Sequence, residues 1–338
     1  MKSVSKSSKN TISVKKRFKE FSSTRDAFAQ ALVDIGKNDT NIVALCADLK
    51  SSLKLDKFEQ LYPKQFYEMG ICEQNMASCA CGMAKIGKIP FICSYAVFSP
   101  GRNWDQIRVG ACYSNLPVKV VGGHTGLVTG PDGATHQALE DIAMMRVLPN
   151  MEVYVPSCPS ESYEITKLVA YSKKPTYLRL NRINQEEIHM IEDFNFQKAR
   201  LVYEGVDCLI CATGVGVEIS KQAAIELEKE GISCKVLAIH SIKPFDEKRF
   251  LREAKLCGCV VGVEEHQVYG GLGSVISEVL VQNIPLPQEF VAVRDTFGQS
   301  GEADELLQFY GISVQNVKEK VKNVLERKMK ANKHNKIS

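Results

Sequence analysis

Short apolar runs alternate with segments of helical periodicity along almost the whole chain. In the first half, the segment TRDAFAQALVDIGK has helical periodicity, with Ser23 or Thr24 as its predicted N-cap. The predicted strands of this half are QFYE, NIVALCAD, KIPFICSYAVF, LPVKVVGG, MEVYVP and TYLRLNR. Strands that alternate with helices at this spacing are typical of parallel sheets covered by helices on both faces. The sequence therefore predicts an α/β fold whose first domain, residues 21–183, is a doubly wound parallel sheet flanked by helices.

A second alternation of strands and helices follows residue 204. Its predicted strands are VDCLICAT, ISCKVLAI, CGCVVGV and FVAVRD, and its predicted helices include GVEISKQAAIELEKEG, GLGSVISEVLVQ and NVKEKVKNVLER. Residues 184–204, between the two units, are rich in polar residues and poor in apolar periodicity, which indicates a linker or an edge element. We therefore predict a second, smaller and mostly parallel α/β domain over residues 205–328.

Much of the net charge of +4 lies at the two ends of the chain. Residues 1–20 and 329–338 are basic and polar, so we predict that both are solvated, disordered tails. A basic arm that touches nucleic acid is the alternative, but no aromatic residues are interleaved there to stack on bases. We therefore predict no nucleic-acid partner.

The cysteine pattern favours a reducing compartment. Most of the twelve cysteines lie in apolar runs, and 338 residues are enough to build two cores without disulfides. The sequence contains no recognisable signal peptide and no apolar run long enough to span a membrane. These features predict a cytoplasmic protein with buried thiols and no membrane association.

The stretch FYEMGICEQNMASCACG carries a carboxylate at a structurally informative position. We predict a strand, a turn at Gly70 and a helix that begins near Glu73. A carboxylate at the first turn of a helix can simply stabilise the helix dipole. Alternatively, Glu73 is a ligand-binding group, because open α/β sheets bind ligands at the carboxyl ends of their strands. Periodicity alone does not choose between the two interpretations.

Polar and aromatic side chains collect at several predicted strand ends. In chain order they are Asp48, Ser51, Ser52, Glu73, Tyr95, Phe98, His124, Asp132 and His136. The two histidines are twelve residues apart in a turn-rich loop, which suits hydrogen bonding and proton transfer to a hydroxylated substrate better than metal binding. The aromatic pair can be ordinary core packing. A carboxylate beside an aromatic platform also suits a flat heteroaromatic ring, stacked on Phe98 and contacted at one nitrogen by Glu73.

Several of these motifs together resemble a known enzyme family. The segments GICEQNM, FICSYAVF, RNWDQIR, HTGLVTGPDGATHQALED and LPNMEVYVP resemble the pyrimidine-binding domain of transketolase and of its relative deoxyxylulose-phosphate synthase. Both are thiamine diphosphate enzymes. VVGVEEHQVYGGLGS and FVAVRDTFGQSGEADELLQFYG are similar to the transketolase C-terminal domain, so the resemblance covers nearly the whole chain from about Phe21.

The resemblance implies roles at the cofactor for four residues. Glu73 matches the glutamate that hydrogen-bonds the aminopyrimidine ring of thiamine diphosphate and promotes formation of its ylide. Phe98 matches the aromatic residue under the pyrimidine, and Tyr95 matches a neighbouring pocket aromatic. Asp48 falls where the family has an aspartate near the cofactor.

The resemblance also implies a set of substrate-binding residues. One group matches residues that hold substrate hydroxyls, and one matches residues that bind the sugar phosphate, for which guanidinium groups are well suited. The hydroxyl-binding group is His124, Asp132 and His136, and the phosphate-binding group is Arg25, Ser52 and Arg182. His124 and His136 are also the candidate catalytic histidines, with His136 near the proton-transfer steps. Without the family, each arginine would be taken for a solvated surface charge.

The sequence departs from the family pattern at three points. Pro131 replaces a common acidic residue, and Gly101, followed by Arg102, replaces a pocket aromatic, so the substrate stays open. The family's magnesium and diphosphate motif, GDG followed by Asn, does not occur, and no other grouping of oxygen ligands replaces it. The resemblance therefore implies the C-terminal subunit of a split transketolase, in which an N-terminal partner chain supplies Mg²⁺ and the diphosphate grip, as an α2β2 heterotetramer.

The implied activity is transfer of a two-carbon ketol unit from a ketose phosphate to an aldose phosphate. The rival enzyme is the beta subunit of a 2-oxo acid dehydrogenase decarboxylating component, which shares the two domains, although DGATHQALED with His136 suits sugar hydroxyls better. A single-chain deoxyxylulose-phosphate synthase would need the missing diphosphate domain. A non-catalytic binding protein is the fourth alternative, and the set of site residues argues against it.

Overall fold

The computed structural model describes residues 22–188 and 194–334. The predicted basic tail over residues 1–20 lies outside the described residues. The strands of the described residues are β1 (Ile42–Cys46), β2 (Phe66–Glu68), β3 (Ile89–Tyr95), β4 (Lys119–Gly123), β5 (Glu152–Tyr154), β6 (Thr176–Arg179), β7 (Arg200–Tyr203), β8 (Cys208–Ala212), β9 (Cys234–Ala238), β10 (Ser241–Lys243), β11 (Val260–Gln267) and β12 (Gln288–Val293). Their α-helices are α1 (Thr24–Gly36), α2 (Asp56–Leu61), α3 (Glu73–Lys85), α4 (Trp104–Gln106), α5 (Asp141–Arg146), α6 (Pro159–Ala170), α7 (Gly216–Lys229), α8 (Glu247–Cys257), α9 (Leu272–Asn283), α10 (Ala303–Phe309) and α11 (Val314–His334).

The first sheet has the order β10-β5-β6-β4-β3-β1-β2. The pairs formed among β1 to β6 are all parallel. This arrangement confirms the predicted α/β class with a parallel sheet flanked by helices. The edge strand β10 comes from the second half of the chain and pairs antiparallel with β5, Ser241 lying opposite Tyr154. A strand of three residues carries too little periodicity to be predicted from the sequence.

The second sheet has the order β12-β11-β8-β9-β7. Its strands are parallel except β7, which pairs antiparallel with β9 at the edge of the sheet. This mostly parallel sheet confirms the predicted fold class of the second domain. β7 falls at the end of the segment predicted as a linker or an edge element, so that part of the segment is an edge strand.

The two sheets share part of their apolar core. One cluster of buried residues includes Val43 and Ile92 of the first sheet together with Leu209 and Leu237 of the second. Other clusters fill the opposite face of the first sheet and the opposite face of the second. The shared cluster and the strand exchange through β10 join the domains into one unit. The turn-rich loop after β4 also contacts the second domain, because the backbone N–H of Val128 donates to Glu265 of β11.

Two helices differ from the sequence prediction. The predicted helix over GRNWDQIRVGACYS is a short α4 that continues as a π-helix, Ile107–Tyr113. A Cβ atom on Gly110 in this segment would lie 2.7 Å from the sulfur of Cys81, so the segment packs unusually close to α3. The last helix continues to His334 and includes residues 329–334 of the predicted disordered tail. Its Lys, Glu, Ala and Met residues are good helix formers, which explains the extension.

Candidate active site

Glu73 is the first residue of α3 and is almost fully buried, with 4% of its surface exposed. Nη1 of Arg102 donates a hydrogen bond to its Oε1 at 3.1 Å. The side-chain amide of Asn103 donates to the Glu73 carbonyl oxygen and to the Ser99 hydroxyl, both at 3.1 Å. The turn at Gly70, which has a φ of 70°, brings the chain from β2 into α3. The carboxylate is therefore held in a fixed place beside the segment that follows β3.

An aromatic platform, formed by Tyr95 and Phe98, lies at the end of β3. The two rings are stacked with centroids 5.9 Å apart and an angle of 10° between their planes. His124 stacks on Tyr95 with centroids 3.9 Å apart, and His136 packs edge-on against Phe98 at 5.4 Å and against Tyr95 at 6.1 Å. The guanidinium carbon of Arg102 lies 4.0 Å from the centroid of the Phe98 ring. Arg102 thus connects the platform to Glu73.

Arg25 lies beside His124. Its Nη1 atom donates to the backbone oxygen of Ser52 at 2.7 Å and lies 3.3 Å from Nε2 of His124. In this geometry the arginine is the donor and Nε2 of the histidine is the acceptor. The Nε atom of Arg25 and the Nδ1 atom of His124 are buried and have no hydrogen-bond partner within the described ranges.

Arg182 contributes a second guanidinium group. Its Nη1 atom donates to the backbone oxygen of Thr129 at 3.0 Å and pairs with Oδ1 of Asp132 at 3.4 Å. The Thr129 hydroxyl in turn donates to the backbone oxygen of His124 at 2.7 Å. A short network therefore joins Arg182, Asp132 and His124.

His124 is a neutral hydrogen-bonding group at physiological pH. Burial lowers the pKa of His124 to about 3, and the charges of Arg25 and Arg182 and the neighbouring His136 act in the same direction. A neutral imidazole beside two cations can accept or donate a hydrogen bond without adding charge. The φ of 49° at His124 shows that the chain turns sharply there to present the ring to the platform.

The structure brings most of the predicted site residues together, whereas the side chains of Ser52 and Asp48 form no hydrogen bond to the others within the described ranges. Residues connected by the contacts above are Arg25, Glu73, Tyr95, Phe98, His124, Asp132, His136 and Arg182. Ser52 contacts Arg25 through its backbone oxygen rather than its hydroxyl. Asp48 is exposed, and its backbone N–H donates to Glu68 at 2.8 Å. No hydrogen bond in the described ranges joins Asp48 to the cluster, so its role near a cofactor stays a prediction.

Arg102 and Asn103 belong to the site but were not predicted as site residues. Both lie in RNWDQIR, directly after the aromatic pair, and that proximity is the signal that could have found them. The preceding Gly101 has a steric reason to be glycine. A Cβ atom at this position would lie 1.9 Å from the backbone oxygen of Val97, so this backbone leaves no room for a side chain.

The site has groups that fit one end of a thiamine cofactor. Oε2 of Glu73 accepts no hydrogen bond in the part of the chain that the structure describes, so it can accept one from a ring nitrogen. The face of Phe98 already carries a planar cation, which shows that a flat group can lie on it. In the same part of the chain, no group of three or more His, Cys, Asp or Glu side chains is arranged to hold a metal ion.

Comparison with known proteins identifies the family. A family model described as the transketolase pyrimidine binding domain matches residues 22–187, and one described as the transketolase C-terminal domain matches residues 197–317. The chain belongs to the transketolase family. Members of this family use thiamine diphosphate, in agreement with the predicted cofactor.

Its similar relatives include separate transketolase subunits. The chain is 38% identical to a 6-deoxy-6-sulfo-D-fructose transketolase subunit of Clostridium sp. (strain MSTE9), covering 90% of this chain and 95% of the relative. It is 33% identical to an apulose-4-phosphate transketolase subunit of Phocaeicola vulgatus, covering 87% and 94% respectively. A solved structure described as a split gene transketolase, inactive beta4 tetramer, is 40% identical, with a TM-score of 0.84 over 90% of this chain and 99% of that one.

These matches confirm that this transketolase-family chain is a subunit of the split type, with the pyrimidine-binding and C-terminal domains. None of the helices that the structure describes combines the length and the apolar character needed to cross a lipid bilayer.

Proposed function

We propose that this chain is the C-terminal subunit of a split transketolase that transfers a two-carbon ketol unit from a ketose phosphate to an aldose phosphate. The observation that carries the proposal is the connected cluster in which Glu73 and Phe98 lie beside His124, His136 and two arginines. The cluster combines half of a thiamine site with groups suited to a hydroxylated, anionic substrate. A simple 2-oxo acid would leave most of these polar groups unused, so the cluster favours ketol transfer over oxo acid decarboxylation.

Glu73 and Phe98 would hold the pyrimidine end of thiamine diphosphate. Phe98 offers a ring face for stacking, and Glu73 offers a buried carboxylate oxygen to a ring nitrogen. In this structure Arg102 lies over the Phe98 ring and donates to Oε1 of Glu73, so its side chain would have to move aside for the pyrimidine ring. When bound, the cofactor supplies the carbon nucleophile that takes up the two-carbon unit. Glu73 would hold the proton at the ring nitrogen that this chemistry requires.

The histidines and arginines would hold the sugar. His124 is neutral, so it would hydrogen-bond a hydroxyl group, while His136 is only half-buried and would be placed to move protons. Arg25 and Arg182 would bind the anionic end, a task for which guanidinium groups are well suited. One relative is named for a phosphorylated sugar and another for a sulfo sugar, so either anion can be the substrate's charged end.

A second kind of chain would complete the site. The described residues offer no metal-binding cluster, and the sequence has no GDG motif for Mg²⁺ and the diphosphate. The related structure is an assembly of beta chains alone and is described as inactive, which supports the need for such a partner. We propose an α2β2 assembly with an N-terminal, diphosphate-binding subunit. The free thiols, ten of twelve buried, support the cytoplasm as its location.

Reconstitution tests this function directly. The chain would be mixed with a transketolase N-terminal subunit, thiamine diphosphate and Mg²⁺, and ketol transfer from xylulose 5-phosphate to an aldose phosphate would be followed. A parallel assay with a sulfonated ketose as the donor tests whether a sulfonate can replace the phosphate. We expect transfer only in the mixture, together with a molar mass that matches α2β2. Oxidative decarboxylation of pyruvate with a lipoyl acceptor, and no ketol transfer, would overturn the proposal.

Glu73→Gln tests the cofactor-activating role. The amide keeps the size of the side chain but removes the ionisable proton, so we expect turnover to fall by about 10²-fold to 10⁴-fold while the fold and the assembly stay intact. Glu59→Gln, on the surface helix α2, is the control and should change nothing. Turnover near the wild-type level would contradict the role of Glu73.

Arg182→Ala tests binding of the substrate anion. Loss of one charged hydrogen-bond donor costs about 1.5–3 kcal/mol, so kcat/KM for a phosphorylated donor should fall about tenfold to a hundredfold. The loss with hydroxypyruvate, which has no phosphate, should be much smaller. Arg327→Ala on the last helix is the control. Equal losses on both donors would argue against a phosphate contact.

A further inference from the structure

The turn that carries part of the sugar-binding cluster rests on the second domain. We call residues 126–133, which include the 3₁₀ segment Leu127–Asp132, the substrate turn. The backbone N–H of Val128 donates to Oε1 of Glu265, on β11, at 2.7 Å. Gly126 has a φ of 71°, and a Cβ atom there would lie 2.4 Å from the Glu265 carboxylate. The backbone of the turn therefore packs directly on this one carboxylate.

Glu265 is buried and held by cationic and dipolar groups. Only 3% of its surface is exposed, and Nη1 of Arg179 lies 3.9 Å from its Oε2. Arg179 also donates to the backbone oxygen of Glu265 at 3.0 Å and to Asp141 at 2.8 Å. Burial raises the pKa of Glu265 to about 7, against the opposing effects of Arg179 and of the Val128 N–H.

A second contact, made by Gln137 of the first domain, joins the turn to the second domain. The side-chain amide of Gln137 donates to the backbone oxygens of Leu127, Gly130 and Gln299, at 3.4, 3.3 and 3.0 Å. The first two acceptors belong to the substrate turn, and Gln299 belongs to the second domain. A Cβ atom on Gly298 would lie 1.8 Å from Oε1 of Gln137, so the segment after β12 also packs closely here.

The position of the turn determines the position of the site groups. The backbone oxygen of Thr129 accepts a hydrogen bond from Arg182, and its hydroxyl donates to the His124 backbone. Asp132, the last residue of the 3₁₀ segment, pairs with Arg182. Movement of Val128 would therefore displace both the anion-binding arginine and the histidine backbone.

We propose that Glu265 is a positioning residue through which the second domain holds the substrate turn, and with it the sugar-binding groups, in the geometry needed for substrate binding. The effect of Glu265 on substrate binding rests on the proposed function. Its effect on the position of the turn does not depend on that function, since it concerns only the hydrogen bond between Glu265 and Val128.

Hydrogen exchange of the chain without cofactor or partner tests the structural part. In Glu265→Ala the Val128 N–H loses its acceptor, so amide exchange in peptides covering residues 124–137 should rise about tenfold or more. Glu265→Gln keeps a carbonyl acceptor and should restore most of the protection. Glu247→Ala, an exposed glutamate of α8, is the control, and peptides covering β8 should be unchanged in every variant.

Kinetics of the reconstituted enzyme tests the functional part. We expect Glu265→Ala to raise the KM of the sugar phosphate donor about tenfold, with a smaller fall in kcat. Glu265→Gln should bring the KM most of the way back to the wild-type value. Gln137→Leu, which removes the second contact, should raise exchange and KM in the same sense and replaces Glu265→Ala if that variant does not fold.

Two results would overturn the inference. One is unchanged exchange in folded Glu265→Ala and Gln137→Leu. The other is raised exchange with an unchanged KM, which would leave the contact structural only. A wild-type mixture that performs no ketol transfer would overturn the proposed function instead, and the exchange comparison would still decide whether Glu265 holds the turn.

Discussion

Replacing Glu161 by glutamine removes a charge from the junction between the domains. Glu161, on α6, is 1% exposed and accepts hydrogen bonds from the backbone N–H and hydroxyl of Ser157 at 2.9 and 2.6 Å. Arg200 of β7 donates to it at 3.2 Å, and Nδ1 of His240 lies 3.5 Å away. Both partners come from the second half of the chain, so the carboxylate links the two domains.

The structure gives the size and the pH range of the effect. Burial opposes ionisation of Glu161, but His240, Arg200 and Ser157 together lower its pKa from 4.5 to about 2. At about 1.4 kcal/mol for each pKa unit, this difference corresponds to roughly 3 kcal/mol of stability at neutral pH. Removing one partner of a buried ion pair costs about 3–5 kcal/mol, in agreement. Because the pKa is lower in the folded state, the stabilisation is present above pH 4.5 and is lost as the pH falls from 4.5 towards 2.

Urea unfolding of the wild type and Glu161→Gln between pH 7 and pH 3 measures this contribution. Fluorescence of Trp104, the sole tryptophan, reports on the first domain, and circular dichroism reports on both. We expect the variant to lose about 3 kcal/mol at pH 7 and the difference to shrink below pH 4.5. Glu164→Gln, a partly exposed glutamate of the same helix, should cost less than about 1 kcal/mol. A loss below about 1 kcal/mol in Glu161→Gln at pH 7, or one independent of pH, would refute the reasoning.

Three further predictions concern the site and its support. Gly101→Ala places a Cβ atom 1.9 Å from the Val97 backbone oxygen, so we expect the free energy of unfolding, measured with urea, to fall by about 3 kcal/mol or more. Wild-type stability would show that the loop shifts at little cost. Gly82→Ala, inside α3, places a Cβ atom with nothing within 4 Å beyond the adjacent residues and the backbone of its own helix, so it should stabilise the chain by about 0.5–1 kcal/mol. Destabilisation would contradict the assigned helix. His124 should stay neutral down to about pH 4, because burial and two guanidinium groups lower its pKa to about 3, and an imidazole NMR titration midpoint above pH 5 would contradict this.

Local signals in the sequence predict the elements that carry the site. The Ser23 hydroxyl accepts the backbone N–H of Asp26 at 3.1 Å and caps α1, as the sequence predicts. Helix α3 begins at Glu73, and β3 ends at Tyr95, where polar and aromatic residues were expected to collect. Capping and apolar periodicity act over a few residues, so they can be read without knowing the fold.

The chemistry of the cluster was also predictable, but several of its contacts were not. Arg102 contacts Glu73 across 29 residues of sequence, and Glu265 contacts Val128 across 137. Neither partner carries a local signal that names the other. Whether such a charge is solvated or paired depends on burial, which is a property of the packed chain.

By itself, the sequence determined the α/β class, the residue types of the candidate site and the family, because periodicity and motifs are local and can be read without coordinates. Only the tertiary structure decided that β10 crosses into the first sheet, that Arg102 covers Phe98 and Glu73, and that the substrate turn rests on Glu265 of the second domain. These contacts are set by backbone pairing, close approach at glycine and burial of charge. They contribute to stability only when distant parts of the chain have packed together.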